Sequence, residues 1–357
     1  MRKLSLVMIV KNEEKVLARC LDSVKHLVDE MIVADTGSTD DTKKIAHAYG
    51  AKVCDYVWED DFAKARNFAL SYAAGDWNLI LDADEVFTQG TKESIQRFME
   101  QSEAIGRIKV VSKIKQDHEI RTSSTWVSRL IPKGIYFEGR VHEQIKSNLP
   151  RVNTEIEVNH DGYYETDKTG RNLRLLLLEL DNHPSDPYLL YQTAKQYKLS
   201  GQYQTANDYF EKCYQFLGRN AGYRDLVVID YLYNILATGR LFKGIGMIEK
   251  ERAQFADYPD FHFVCALFYM ELVFSDVNKY IHLFPEIERE YKTCLRLGET
   301  DKYSTMTGTG SFLAAYNLGV YYETTGDMVK AKEFYTRARS EGYEPALTRI
   351  ADLKPGI

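Results

Sequence analysis

Trp77-Asn78-Leu79-Ile80-Leu81-Asp82-Ala83-Asp84 decides the fold of this chain. An apolar run closing on two carboxylates one residue apart reads as a buried strand that carries them to its end, where they can share one divalent cation. Oxygen ligands suit magnesium or manganese, and such a cation neutralises charge developing on a nucleotide diphosphate as it leaves. The chemistry this suggests is glycosyl transfer. An isolated Asp-x-Asp is also a common solvated turn, so its surroundings carry the weight.

Upstream, the residues read as a nucleotide-binding α/β unit. Leu4-Ser5-Leu6-Val7-Met8-Ile9-Val10 is a short, nearly all-apolar run, as expected of a strand buried on both faces of a parallel sheet. Val16, Leu17, Cys20, Leu21 and Val24 follow at helical spacing, and Met31-Ile32-Val33-Ala34 gives a second strand ending at Asp35. Strand, helix, strand implies a parallel pair. Thr36-Gly37-Ser38-Thr39-Asp40-Asp41-Thr42 then supplies a flexible glycine and several N-cap residues opening a helix through Ile45, Ala46 and Tyr49. Loops of this kind lie over ligands at carboxyl strand ends.

Leu6 to Glu14, the loop Asp35-Thr36-Gly37-Ser38-Thr39-Asp40, Ala65-Arg66-Asn67 and Leu81-Asp82-Ala83-Asp84 occur in the order and approximate spacing of glycosyltransferase family 2. The chain resembles that family over about its first 165 residues. The resemblance implies a GT-A fold, that is, a Rossmann-like α/β domain with a mixed, mainly parallel sheet. It also implies a UDP-sugar donor and a divalent cation, Mn2+ or Mg2+. Members commonly carry two aspartates where this chain has Asp35-Thr36, and Asp35 keeps the first. Residue by residue, the resemblance places Val10, Asn12 and Glu13 in the nucleotide pocket, Asp35 at the base and Arg66 near the base or ribose. Ala83 and Arg129 join the donor-binding set, and Asp84 becomes the principal metal ligand. Asp82 is expected to face the ribose, because alternate residues at a strand end point differently. Arg66 has a second reading as a solvated arginine on the polar face of an amphipathic helix carrying Phe62, Ala65, Phe68, Ala69 and Tyr72.

A second chemical cluster runs from Arg129 to His160, through Tyr136-Phe137-Glu138-Gly139-Arg140-Val141-His142-Glu143 and Val158-Asn159-His160-Asp161, with His118 nearby in sequence. It resembles the branch of family 2 that includes lipopolysaccharide-core glucosyltransferases and the peptide S-glycosyltransferases of glycocins. Inverting transfer needs a base to take the acceptor's proton, and a carboxylate or imidazole does so near neutral pH. Glu143 and His142 are the two candidates, His142 having a structural alternative as a loop-orienting residue. The resemblance adds His160 as a further metal or diphosphate ligand.

Composition excludes several classes. A net charge of -6 argues against a general nucleic-acid binder, and 357 residues with 44% hydrophobic content suit two packed domains. Five cysteines without CxxC spacing read as reduced thiols in a cytoplasmic protein. The apolar run after Met1-Arg2-Lys3 breaks at Lys11, unlike a secretory signal, and no stretch is long enough for stable membrane insertion.

From Arg171 onward helical periodicity dominates, and four of the 25 tyrosines precede residue 160. Ala194, Tyr197, Gly201, Ala206, Phe210 and Cys213 have the same separations as Gly319, Tyr322, Gly326, Ala331, Tyr335 and Ala338. This fits the tetratricopeptide pattern, in which small residues let two antiparallel helices approach and aromatics fill the groove. About four imperfect helix pairs are expected, with an insertion inside the third and a capping helix near Ala346 to Leu353. The expected domains are 1–166, catalytic, and 167–357, helical repeats, hinged over Asp167 to Asn172.

The combination resembles the glycocin S-glycosyltransferases and implies transfer of a hexose from a UDP-sugar to cysteine, with serine a second acceptor, in a peptide or protein. A homodimer is compatible with it. The alternatives are a cell-envelope or lipopolysaccharide-core transferase, and a non-enzymatic peptide-binding scaffold. Retention of Asp35, Arg66, Asp82, Asp84, Glu143 and His160 as one polar set favours the enzyme.

Overall fold

The computed structural model describes residues 1–101, 103–116, 119–160 and 169–353, with the backbone alone at 113–116 and 119–121. His118, Asp161 and Asp167 lie outside these residues. The chain divides into two compact units, Met1–Pro184 and Ser185–Ile357.

The first unit follows the apolar pattern strand by strand. In chain order it contains β1 (Leu4–Val10), α1 (Leu17–Val24), β2 (Glu30–Asp35), α2 (Thr42–Ala48), β3 (Lys52–Asp55), α3 (Phe62–Ser71), β4 (Trp77–Ile80), β5 (Glu85–Gln89) and α4 (Lys92–Gln101). There follow β6 (Ile105–Gln116), β7 (Glu119–Pro132), the hairpin β8 (Tyr136–Glu138) and β9 (Gln144–Lys146), β10 (Arg151–His160) and α5 (Thr169–Asn182). The main sheet runs β3-β2-β1-β4-β7-β6-β10-β5. β3, β2, β1 and β4 are mutually parallel, β7 is antiparallel to β4 and β6, β10 is parallel to β6, and β5 is antiparallel to β10. The domain is therefore mixed α/β, with antiparallel pairing concentrated in its second half.

Both faces of the parallel half are covered, which is why β1 and β4 read as continuous apolar runs. Leu4, Leu6, Met8 and Val10 pack with α1 and Leu79, while Val7, Ile32 and Ile80 pack with Ala63, Ala69 and Leu70 of α3. β4 and β5 lie four strand positions apart along the sheet, about 19 Å if it were flat. Only residues 81–84 join them, and a turn from Glu85 N–H to the Asp82 carbonyl (3.0 Å) shortens even that reach. The sheet must therefore curl into a half-barrel. The curl carries β10 and β5 back toward the end of β4.

α5 belongs to this unit through buried Leu175, Leu176 and Leu180 and the ion pairs Arg174–Asp60 (2.7 Å) and Arg140–Glu179 (3.3 Å). The compact division thus falls after Pro184, whereas the boundary expected at 166/167 lies within residues not described.

The second unit is helical: α6 (Pro187–Leu199), α7 (Tyr203–Phe216), α8 (Arg224–Ala237), α9 (Leu241–Glu251), α10 (Pro259–Ser275), α11 (Val277–Tyr280), α12 (Phe284–Leu297), α13 (Phe312–Thr324), α14 (Met328–Ser340) and α15 (Pro345–Asp352). α6 packs on α7, α8 on α9, α10 on α12 and α13 on α14, with the short α11 inserted in the third pair. The repeat residues explain the pairing. A Cβ on Gly319 would sit 2.6 Å from the Tyr335 ring, so only glycine lets α13 and α14 approach this closely, and Gly326 turns the chain at φ +83°. Tyr191, Tyr231, Tyr258, Tyr291 and Tyr335 are among the largest fully buried side chains, so these tyrosines fill the core.

One buried carboxyl makes this unit sensitive to pH. Asp260 on α10 accepts from Met306 N–H (2.8 Å) and meets the Thr309 hydroxyl, which also reaches the Met306 carbonyl (2.9 Å). Burial pushes the Asp260 carboxyl up to about 7, against the lowering effect of those hydrogen bonds. Its folded-state value lies above its unfolded one, so a folding penalty grows as pH rises from about 4 to about 7 and then stays constant, at most about 4 kcal/mol. Asp260→Asn mimics the protonated carboxyl and should remove that dependence. Urea unfolding of the helices at pH 5 and pH 8 should show a larger loss for the native chain than for the variant. Equal losses would contradict it.

Candidate active site

Parallel register gathers the first group of site residues. Val10 pairs with Asp35 at the carboxyl ends of β1 and β2, and Val7 pairs with Ile80 of β4, two residues before Asp82. The loops that follow are laced together: Asn12 N–H donates to Ser38 Oγ (2.9 Å), Thr39 N–H to Asn12 Oδ1 (2.8 Å), and Glu13 N–H to Thr42 Oγ1 (2.7 Å). Asn12 takes φ +56° to do so. Asp35 is 1% exposed, and its Oδ1 accepts from the N–H groups of Gly37 (2.9 Å) and Ser38 (2.8 Å). Its Oδ2 is buried without a hydrogen-bond partner among the described residues. A buried carboxylate oxygen left open is costly unless a ligand's donor completes it.

The second group is a buried chain of charges. Arg66, 7% exposed, donates from Nε to Glu143 Oε1 and from Nη2 to Asp82 Oδ1 (2.8 Å). Arg129 Nη2 donates to Asp82 Oδ2 (2.6 Å) and Glu85 Oε1 (3.3 Å), while Glu85 Oε2 accepts from Asp82 N–H (2.8 Å). The order is Glu143, Arg66, Asp82, Arg129, Glu85. Burial by itself would raise the Asp82 carboxyl, but Arg129 and Arg66 overcome it and hold the group far below the usual carboxylate range. For Glu85 burial wins over Arg129, and its carboxyl is raised. Arg66 Nη1 and Arg129 Nε are buried without partners among the described residues, which leaves donors for a ligand.

This geometry decides between the two readings of Arg66, which is not on a solvated face. α3 is tied to the β8–β9 hairpin: Asn67 Nδ2 donates to the Phe137 carbonyl (2.8 Å), Phe137 N–H to Asn67 Oδ1 (2.8 Å), and Phe62 N–H to the Arg140 carbonyl (2.8 Å). The hairpin loop, with Gly139 at φ +96° and His142 at φ +53°, thereby delivers Glu143 to Arg66. Positive φ at a non-glycine residue is uncommon and clusters at functional loops. Asp82, expected at the ribose, has both carboxylate oxygens engaged by arginines. Ala83 packs into the core, so any donor contact from it comes from its backbone. Glu138, on the same hairpin, is exposed and pairs with Lys146 (2.8 Å).

The third group is Asp84 with His160. β10 and β5 pair His160 with Glu85, and His160 Nε2 lies 3.1 Å from Asp84 Oδ2. The hydrogen bond with Asp84 raises the imidazole above its ordinary value, against the opposing effect of burial. Among the described residues no group of three or more His, Cys, Asp or Glu side chains is arranged to hold a metal. A carboxylate and an imidazole side by side nevertheless fit Mn2+ or Mg2+, ions that take their remaining ligands from phosphate oxygens and water. Sequence reasoning quoted Asn67 without giving it a role, and missed Glu85 and Ser112, whose hydroxyl lies 3.3 Å from His160 Nδ1. Glu85 could have been suspected, since it directly follows Asp84; nothing local marks Ser112.

Residues 5–152 match Glycosyl transferase family 2. The chain is 36% identical over 207 residues to a TPR repeat-containing protein of Synechococcus elongatus, covering 53% of this chain and 51% of that one. It is 30% identical over 223 residues to the SPbeta prophage-derived glycosyltransferase SunS of Bacillus subtilis, covering 57% and 51%. It thus spans about half the length of these curated relatives. Glucosyl-3-phosphoglycerate synthase of Mycobacterium tuberculosis, solved with Mn2+ and UDP-glucose, is 28% identical over 31% of this chain and 44% of its own, with a TM-score of 0.26. Residues 5–152, within the N-terminal unit, are thus similar to glycosyltransferase family 2, and the paired helices of the second unit resemble tetratricopeptide repeats.

Proposed function

We propose that this chain is an inverting, metal-dependent glycosyltransferase of GT-A type that moves a hexose from a UDP-sugar to a peptide or protein, at cysteine and also at serine. The observation that carries the proposal is the Arg66 guanidinium, which joins Glu143 to the Asp82-Ala83-Asp84 turn. A candidate base and a candidate diphosphate site thus share one buried support. Val10, Asn12, Glu13 and Asp35 bind the nucleotide, the open Asp35 oxygen taking a donor from the base. Arg66, Asp82, the Ala83 backbone and Arg129 complete the donor pocket. Asp84 and His160 hold the cation, which when bound supplies positive charge to the leaving diphosphate. Glu143 takes the acceptor's proton, and His142 shapes the loop that presents it.

The family match and the similarity to SunS support the transfer, and the repeat unit supports a peptide acceptor. No helix among the described residues is long and apolar enough to cross a membrane, and all five cysteines are free. A thiol ionises near 8.5 and needs less help from a base than a hydroxyl, so cysteine is the easier acceptor.

Intact-mass measurement of candidate precursor peptides incubated with the chain and a panel of UDP-sugars tests the proposal. A hexose mass increment on a peptide is the expected result; donor turnover with none of the peptides modified would count against it. A chain ending at Pro184 should retain UDP binding and donor hydrolysis but lose peptide transfer. Undiminished peptide transfer by that soluble fragment would remove the acceptor role from the repeats.

A further inference from the structure

Ser112 on β6 stands opposite His160 on β10 in the strand register, and its hydroxyl lies 3.3 Å from His160 Nδ1. The other ring nitrogen, Nε2, faces Asp84 Oδ2 at 3.1 Å. A cation held jointly with Asp84 must take the lone pair of Nε2, so the ring proton has to reside on Nδ1, where it needs an acceptor. Glu85, the neighbour of His160 on the other strand, is already committed to Arg129 through Oε1 and to Asp82 N–H through Oε2. Among the described residues, the group that meets Nδ1 is the Ser112 hydroxyl. We infer that Ser112 is a positioning residue, holding His160 as the Nδ1–H tautomer so that Nε2 and Asp84 can take a divalent cation together. The inference rests on the cation site proposed above.

A hydroxyl suits this place because it both donates and accepts. Without metal, Nε2–H donates to Asp84 and Nδ1 accepts from Ser112; with metal bound, Nδ1–H donates to Ser112. Taking up the cation would release the Nε2 proton to solvent and bring one to Nδ1, while the hydroxyl turns from donor to acceptor. Strand pairing fixes the two Cα positions, so the ring stays in place through the exchange. Alanine can play neither part, whereas threonine retains the hydroxyl on a strand that tolerates β-branching.

Mn2+ titration of the full chain in the presence of UDP, read by the loss of the free-ion EPR signal, tests this directly, with UDP binding in chelator as the companion measurement. Ser112→Ala should weaken Mn2+ binding about 10- to 100-fold, the usual effect of losing an outer partner of a ligating histidine. UDP binding without metal should be unchanged, a result that general loosening of the site would not give. Ser112→Thr should restore Mn2+ affinity. Mn2+ affinity in Ser112→Ala equal to the native chain, with His160→Ala defective, would overturn the role of Ser112 and leave the cation site standing. Failure of threonine to rescue would also overturn it. Absence of UDP-dependent Mn2+ binding in the native chain would instead overturn the cation site itself.

Discussion

Asp84→Asn is expected to abolish sugar transfer while leaving thermal unfolding nearly unchanged. The amide has the volume of the carboxylate, and its oxygen can still accept from His160 Nε2, so the contact seen at 3.1 Å survives. What it loses is the negative charge that a hard divalent cation requires of its few protein ligands. Transfer measured across a Mn2+ and Mg2+ series, beside a melting curve, separates the two effects. Full activity in the variant, or in the native chain under excess chelator, would remove Asp84 from the metal. Asp82→Asn should behave differently. From sequence it is a mild, donor-weakening change, but the structure gives this carboxylate the charges of both Arg66 and Arg129. Removing it leaves each buried arginine with one carboxylate partner in place of two, so the melting temperature should fall along with donor affinity.

Glu143→Gln should lower turnover roughly a hundredfold to ten-thousandfold, the range for a positioned general base, with donor affinity largely kept. Glutamine still offers an oxygen to Arg66 Nε, so the hairpin remains docked on α3 through that bond and the two Asn67 contacts. The loss is then chemical. His142→Ala should have the smaller effect; the opposite ranking would make His142 the base and Glu143 its orienting partner. Acceptor comparison sharpens the test, because a serine hydroxyl is essentially un-ionised at neutral pH and depends more on the base than a thiol does. Serine transfer should fall further than cysteine transfer in Glu143→Gln. Small, equal losses for both acceptors in both variants would place the base elsewhere.

The elements of the site were more legible than its connections. Leu4 to Val10 and Trp77 to Leu81 announce strands buried on both faces, because apolar runs this short have no other stable use beside helices of matching amphipathicity. The repeated six-residue spacing announces paired helices for the same reason, and the buried Ala194, Ala206, Ala331 and Ala338 fill the places that spacing assigns them. The state of Arg66 was not legible, since its partner Glu143 lies 77 residues away and arrives on a hairpin whose docking depends on Asn67. Glu85 stands beside Asp84 in the sequence, but nothing local shows that its carboxyl turns back on the strand end it follows.

By itself, then, the sequence determined the local pieces: the parallel strands and the loops at their ends, the Asp82-Ala83-Asp84 turn, the helical repeats, and the residue types available for chemistry. Periodicity and turn chemistry are encoded over a few residues, so they survive being read in one dimension. Tertiary structure alone decided which charges meet. The curl of the sheet brings His160 to Asp84, 76 residues earlier, and strand register sets Ser112 behind it. Burial turns Arg66 and Arg129 from generic cations into the partners of one carboxylate. Charge pairing at low dielectric is governed by distances of a few ångströms, and those distances come from packing the whole domain, which no short stretch of residues specifies.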